Sequence, residues 1–262
     1  MSRICVVTGA SSGIGRAVSI ELAGRGCTLV LGGRNLERLD ETAAKCRGLG
    51  VVVETAAGDV STLGHATLLF DKAIRLWESG GEMPGLGASI SHVITEIGAS
   101  TPRARPRLAA VFAAGSAYFG PTLELPDDTW AETVGTNLTG LFYCCREAAR
   151  SMAGRGGGRI VNVLSMAAVH PFPQSAAYVA TKYRGLGLTR SLSSEFRKDH
   201  VHFTAFLPGS VDTPLWDRTG TSLDRSKMLA AEDVARAIAD IVCSDDLGAF
   251  DEVHYMPPEG IL

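Results

Sequence analysis

The chain has 262 residues, 45% apolar and 20% charged, enough for a sizeable core within the range of one α/β domain. Its net charge of −3, with no dense basic stretch, argues against nucleic acid or an anionic membrane as a partner. Six cysteines (Cys5, Cys27, Cys46, Cys144, Cys145, Cys243) show neither a C-x-x-C pair nor a metal-ligand spacing, so buried free thiols are expected rather than a disulfide framework or a metal site.

The chain opens on a strand-like run, Arg3 to Val7, without a charged and then apolar leader, and no apolar run approaches the ~18 residues of a membrane helix. A soluble, cytoplasmic protein is expected. Short β-branched runs then alternate with longer amphipathic segments along the whole chain. That alternation is the pattern of an α/β fold, a Rossmann-type doubly wound parallel sheet of about seven strands with helices on both faces, in a single domain over 1–262. Strands are expected near 3–8, 28–32, 51–56, 108–114, 158–164, 201–207 and 252–256. Helices are expected near 14–25, 36–48, 63–78, 127–153, 175–198 and 231–243.

The first strand-to-helix turn carries Gly9, Ser11, Ser12, Gly13, Ile14 and Gly15. The three glycines allow a tight turn and close approach of backbone to a phosphate, and the following helix N-terminus offers N–H groups and partial positive charge to a pyrophosphate. A purely structural turn is the competing reading. The second strand ends in Gly32-Gly33-Arg34-Asn35, without the carboxylate that usually binds a free ribose 2′-hydroxyl. Arg34 and Asn35 therefore favour a 2′-phosphate, and so NADP(H), unless Arg34 only caps a surface helix. After the third strand, Asp59-Val60 could receive the adenine amino group or N-cap the next helix.

Residues 79–107 are loop-forming and then basic and proline-broken, and read as a surface insertion at the edge opposite the site. The fourth strand ends in small residues, Ala113, Ala114 and Gly115, which leave room for a cofactor ribose. Asn137 falls in a long helical stretch on its core-facing side, so it either holds a water or sits at a kink.

Ser165 follows the apolar run Arg159 to Leu164, which places its hydroxyl at the carboxyl end of a buried strand. Tyr178 and Lys182 are four residues apart in a helical segment and so share one face. A neighbouring ammonium is expected to lower the phenol pKa toward neutral pH. Alone, this spacing also fits an ordinary surface helix. With the glycine loop and Ser165, it reads as catalytic. Past the sixth strand, Pro208, Gly209, Val211 and Thr213 form a rigid turn over the expected nicotinamide position. The polar segment 214–227 resembles a substrate lid, with Leu215 and Trp216 as substrate contacts or packing residues.

Taken together, Thr8-Gly9, Gly13-Ile14-Gly15, Asn137, Ser165, Tyr178-x-x-x-Lys182 and Pro208-Gly209 resemble the single-domain short-chain dehydrogenase/reductase family over nearly the whole chain. The resemblance implies a tetrad of Asn137, Ser165, Tyr178 and Lys182, a nicotinamide dinucleotide, and homodimers or homotetramers packed through the helices near 127–153 and 175–198. The chain departs from the family's Asn-Asn-Ala-Gly pattern at Phe112-Ala113-Ala114-Gly115.

The expected activity is NADPH-dependent reduction of a small-molecule carbonyl to an alcohol. Ser165 would bind the substrate oxygen, Tyr178 would protonate it, Lys182 would tune the phenol and bond the nicotinamide ribose, and Asn137 would hold a relay water. A 3-oxoacyl thioester, weakened by the absence of a glycine-rich C-terminus, and a sepiapterin-like substrate are alternatives, as is an NADP(H)-binding regulator without chemistry.

Overall fold

A strand buried on both faces is apolar along most of its length, and β1 (Arg3–Thr8), apolar from Ile4 to Val7, is buried throughout. It pairs with β2 (Thr28–Gly33) on one side and β4 (Arg107–Phe112) on the other, with Thr8 opposite both Gly32 and Phe112. In this computed structural model, which describes residues 2–81, 106–218, 224–245 and 248–261, seven parallel strands form one sheet. The remaining members are β3 (Val53–Ala57), β5 (Gly158–Val163), β6 (Val201–Pro208) and β9 (Glu252–Tyr255), and the order is β3-β2-β1-β4-β5-β6-β9. The order reverses between β1 and β4, which opens a crevice at the carboxyl ends of those strands.

Alternate β1 side chains enter two cores. Ile4 and Val6 pack with α3 (Leu63–Glu78), α5 (Leu141–Met152) and α6 (Ala176–Phe196). Cys5 and Val7 pack with α1 (Gly13–Gly24), α2 (Leu36–Gly48) and α7 (Ala231–Cys243). Side chains such as Leu31, Leu69 and Phe203 are almost wholly buried, each contributing ~1.5–3 kcal/mol of apolar transfer. No helix among the described residues is long and apolar enough to cross a membrane.

The expected strands and helices are present to within a few residues, with two differences. The helix expected over 127–153 is α4 (Asp127–Val134), a π-helical turn Gly135–Gly140, and then α5. The wider turn lies where the Asn137 side chain leaves the helix to bond elsewhere. The second difference is a small parallel pair, β7 (Val211–Asp212) with β8 (Leu229–Ala230), which ties down the segment after β6. The expected insertion at 79–107 lies, apart from its ends, outside the described residues.

Two features set α6 against β5. Asn162, fully buried, donates from Nδ2 to Thr189 Oγ1 at 2.8 Å and accepts from Cys145 Sγ at 3.5 Å. Gly185 of α6 faces Leu164, whose Cδ2 would lie 3.0 Å from an added Cβ.

At the crevice, Gly9 has φ +69°, and a Cβ there would lie 2.7 Å from the Ala113 carbonyl oxygen. Gly9→Ala should therefore destabilise the fold by about 1–3 kcal/mol, whereas Gly24→Ala, with open space around it, should change stability by less than about 1 kcal/mol. Urea unfolding of both variants checks this. Equal effects would contradict the packing.

Candidate active site

The crevice is a cleft of about 250 Å³ running from the glycine turn to α6. Gly9, Ser11, Ser12, Gly13 and Ile14 line its floor. Ser12 precedes α1 without a side-chain cap, and α1 has no acidic residue in its first turn. The unpaired N–H groups of that turn thus remain available to an anion. Gly15 does not line the cleft. It is packed behind the loop, where a Cβ would be 2.3 Å from the Gly9 carbonyl oxygen.

Arg34, Asn35, Asp59 and Val60 line one end. Arg34 does not cap a helix. Its Nη1 pairs with Glu132 Oε1 of α4 at 2.9 Å, and both side chains are about half exposed, 48% and 52%. Asn35 is the residue that caps α2, its Oδ1 accepting from Arg38 N at 2.9 Å. Asp59 is not the N-cap of α3, because Thr62 holds that place. Asp59 Oδ1 accepts from Ser61 N at 2.8 Å. Burial pushes its carboxyl up, but the Ser61 bonds and the Arg34 charge prevail and hold it below the usual range.

Ala114, Gly115, Tyr178, Lys182 and Thr213 line the other end of the cleft. Pro208, Gly209 and Val211 instead line an adjoining apolar pocket of about 220 Å³. Ile14, Leu164, Tyr178, Thr213 and Leu215 border both spaces. Ser165 lies in the apolar pocket just past β5, with its Oγ accepting from Ala167 N at 3.1 Å. Trp216 also lines this pocket. It stacks on Phe119 at 5.5 Å and 16°, and Phe119 in turn packs on the Tyr178 ring at 5.6 Å.

Lys182 is 7% exposed, and its Nζ donates to the Val163 carbonyl at 3.1 Å. No carboxylate pairs with it among the described residues. Its Nζ lies 5.4 Å from the centre of the Tyr178 ring. Asn137 does not line the main cleft. Its Oδ1 accepts from Ser116 N at 2.9 Å, while its Nδ2 donates to Ser116 O at 2.8 Å and Thr181 Oγ1 at 3.1 Å. The kink expectation holds, and the side chain joins the end of β4 to α6. A small cavity of about 10 Å³ touches both Asn137 and Lys182, close to the least volume that admits one water.

The expected depression of the phenol pKa is not what this geometry gives. Burial pushes Tyr178 up, opposed by a hydrogen bond with the Ser165 hydroxyl. Burial likewise lowers Lys182 to about 8, because an ammonium with one carbonyl partner has lost most of its hydration. The two groups are therefore driven apart in pKa, the phenol above its ordinary value and the ammonium below its own, and at neutral pH the phenol stays protonated.

Sequence reasoning missed Arg38, which lines the cleft and has no ion pair among the described residues, and also Phe119, Phe172 and Met256 of the apolar pocket. Arg38 was findable, one turn beyond Arg34 at the start of α2. The apolar pocket residues come from separate loops and carry no shared spacing.

Lys182 titrates at about 8 in the fold against 10.5 in the unfolded chain, so the unfolded chain binds more protons between those values. Stability should rise with pH across that window. Lys182→Met should remove this rise and stabilise the protein at pH 7 by on the order of 3 kcal/mol. Urea titrations of both proteins at pH 7 and pH 10 check it, and a difference that does not shrink at pH 10 would contradict it.

Comparison with known proteins agrees with this geometry. The family model for short chain dehydrogenases matches residues 3–101 and 108–224. A 3beta-hydroxysteroid dehydrogenase of Mediterraneibacter gnavus is 34% identical over 222 residues, 84% of this chain and 70% of that protein. A sepiapterin reductase of Chlorobaculum tepidum is 25% identical over 99% of this chain and 98% of its own. Among solved structures, an alcohol dehydrogenase from the archaeon Thermococcus sibiricus, complexed with 5-hydroxy-NADP, superposes with a TM-score of 0.78 at 25% identity, covering 97% of this chain and 96% of that one. With the glycine turn, the crevice and the Ser165, Tyr178 and Lys182 side chains in place, the chain belongs to the short-chain dehydrogenase family of oxidoreductases.

Proposed function

We propose that this protein is an NADPH-dependent reductase of neutral, largely apolar ketones. The observation that carries the reading is the meeting of two unlike spaces at Tyr178: a polar cleft with arginines at one end, and an apolar pocket lined by no charged side chain among the described residues. The cleft fits a dinucleotide in its uncapped helix N-terminus and in the backbone space kept by Gly9 and Gly13.

Arg34 and Arg38 would hold a 2′-phosphate. The Arg34–Glu132 pair is exposed and worth at most ~1 kcal/mol, so a phosphate can displace the carboxylate. That supports NADPH over NADH. Asp59, kept ionised, could accept from an adenine amino group beside Val60.

When bound, the cofactor supplies hydride to the carbonyl carbon. Ser165, which bonds the Tyr178 hydroxyl and accepts from Ala167 N, would donate a hydrogen bond to the carbonyl oxygen as negative charge builds there. Tyr178, held protonated by burial, delivers the proton. Lys182 would place positive charge beside the resulting phenolate and would bond the ribose. A water in the small cavity between Lys182 and Asn137 would relay the replacement proton. Because the Asn137 side chain is spent on Ser116 and Thr181, it acts as a positioning residue that shapes this cavity.

The pocket wall favours a fused-ring or similarly flat ketone packed on the Phe119–Trp216 stack, in keeping with the hydroxysteroid dehydrogenase relative. A pterin carries many polar groups that this wall would leave unpaired, and the pocket offers no basic residue for the phosphate of an acyl carrier arm. Half-exposed Trp130, Phe142 and Tyr183 on α4, α5 and α6 suit a homo-oligomer packed through those helices.

Tyr178→Phe should lower kcat by at least about 10³-fold while NADPH still binds within a few-fold, read by cofactor fluorescence. Substantial residual reduction would reject the assignment. Arg34→Ala with Arg38→Ala should raise the KM for NADPH by at least about 10-fold and leave that for NADH nearly unchanged. Equal changes for both cofactors would remove the 2′-phosphate reading.

A further inference from the structure

Far from the crevice, at the amino ends of the strands, two cysteines face each other. Cys27, just before β2, and Cys243, the last residue of α7, have sulfurs 4.0 Å apart. Cys27 is 2% exposed, whereas Cys243 is half-buried and open to small solutes. The geometry points to Cys27 and Cys243 as an oxidisable dithiol that hydroperoxides convert to a disulfide, with Cys243 attacking and Cys27 resolving.

Charge and access separate the two roles. Arg3, 5% exposed, donates from Nη2 to the carbonyl of Cys243 at 2.8 Å and to that of Ser244 at 3.0 Å, which holds its guanidinium beside the pair. Arg25 stands on the Cys243 side, fixed by Glu21 at 2.8 Å and Asp240 at 2.7 Å. The carboxylates of Glu21, Asp240 and Asp245 offset part of this positive field. The bond with Cys27 and the two guanidiniums nevertheless hold the Cys243 thiol below the usual thiol range, against burial. Cys27 is pushed the other way by its bond to Cys243 and by burial, and suits the later step. Cys5 is fully buried, its thiol pushed up by desolvation and its Sγ 3.9 Å from the Val6 carbonyl.

In the first step the Cys243 thiolate attacks the outer oxygen of the hydroperoxide. An S–O bond forms, the O–O bond breaks, and the departing alkoxide takes a proton to become an alcohol. Cys27 sulfur then attacks the sulfenic sulfur. The S–S bond forms, the S–O bond breaks, and the Cys27 proton leaves with hydroxide as water. The two thiols lose two electrons and the peroxide gains them. Bonding requires the sulfurs to close by about 2 Å, within reach of side-chain rotation at the end of a helix. The cross-link would join the α1–β2 turn to the end of α7, two elements that already pack through α1 and α7.

The test treats the full-length protein with hydrogen peroxide, blocks remaining thiols with N-ethylmaleimide under denaturing conditions, and maps peptides by mass spectrometry. The expected result is a Cys27–Cys243 cross-linked peptide, a loss of two titratable thiols from the six in the chain, and full reversal by dithiothreitol. Cys27→Ser should leave a dimedone-reactive sulfenic acid on Cys243, and Cys243→Ser should abolish both the cross-link and the dimedone adduct. Retention of all six thiols, a pairing of Cys5 instead, or over-oxidation of Cys243 without cross-linking would each overturn the proposal.

Discussion

An ammonium buried in an apolar fold is expensive, and Lys182 is such a group. It is 7% exposed, has the Val163 carbonyl as its partner, and is paired with no carboxylate among the described residues. The fold accepts that cost because α6 is pressed hard onto the end of β5. Gly185 permits the approach, Asn162 and Thr189 bond across it, and Asn137 ties the same helix to the end of β4 through Thr181 and Ser116. The same packing leaves Tyr178 half-buried where the two spaces meet. Desolvation then does two things at once: it keeps the phenol protonated, and it makes the lysine only weakly basic. In the proposed reduction, Tyr178 would be a general acid that holds its proton at neutral pH, beside a cation that stabilises its conjugate base.

Around this pair the molecule divides its labour. The turn after β1 and the start of α2 supply backbone donors and arginines, and so face charge. The segments after β4, β5 and β6 supply Phe119, Met166, Val211 and Trp216, and so face apolar surface. The short β7–β8 pair holds the segment after β6 in place, and the Trp216 indole donates to the Val211 carbonyl at 2.9 Å, fixing the ring over the pocket. Specificity therefore rests on loops that can vary while the sheet does not.

Much of this was legible in the sequence because it is local. Runs such as Arg3 to Thr8 and Gly158 to Val163 reveal buried strands, and the four-residue offset of Tyr178 and Lys182 reveals a shared helical face. The glycine turn was legible for the same reason. What stayed hidden depends on contacts between distant segments. The π-helical turn at Asn137 needs Ser116, twenty-one positions away, and the Phe119–Trp216 wall joins two loops with no common period. The sign of the Tyr178 shift was hidden too, because spacing places an ammonium near a phenol but says nothing about how much water either retains. Arg34 shows the same limit: its residue type suggested a phosphate, while its partner Glu132 comes from the distant helix α4.

Desolvation of Lys182 underlies the chemistry of the site, and nitrogen NMR of the lysine side chains reads it directly. In ¹⁵N-lysine-labelled protein, one Nζ resonance, absent from Lys182→Met, should titrate with a midpoint near 8. A midpoint for Lys182 at or above the ordinary 10.5 would mean that its ammonium remains hydrated, and the coupling of burial to proton delivery would fail.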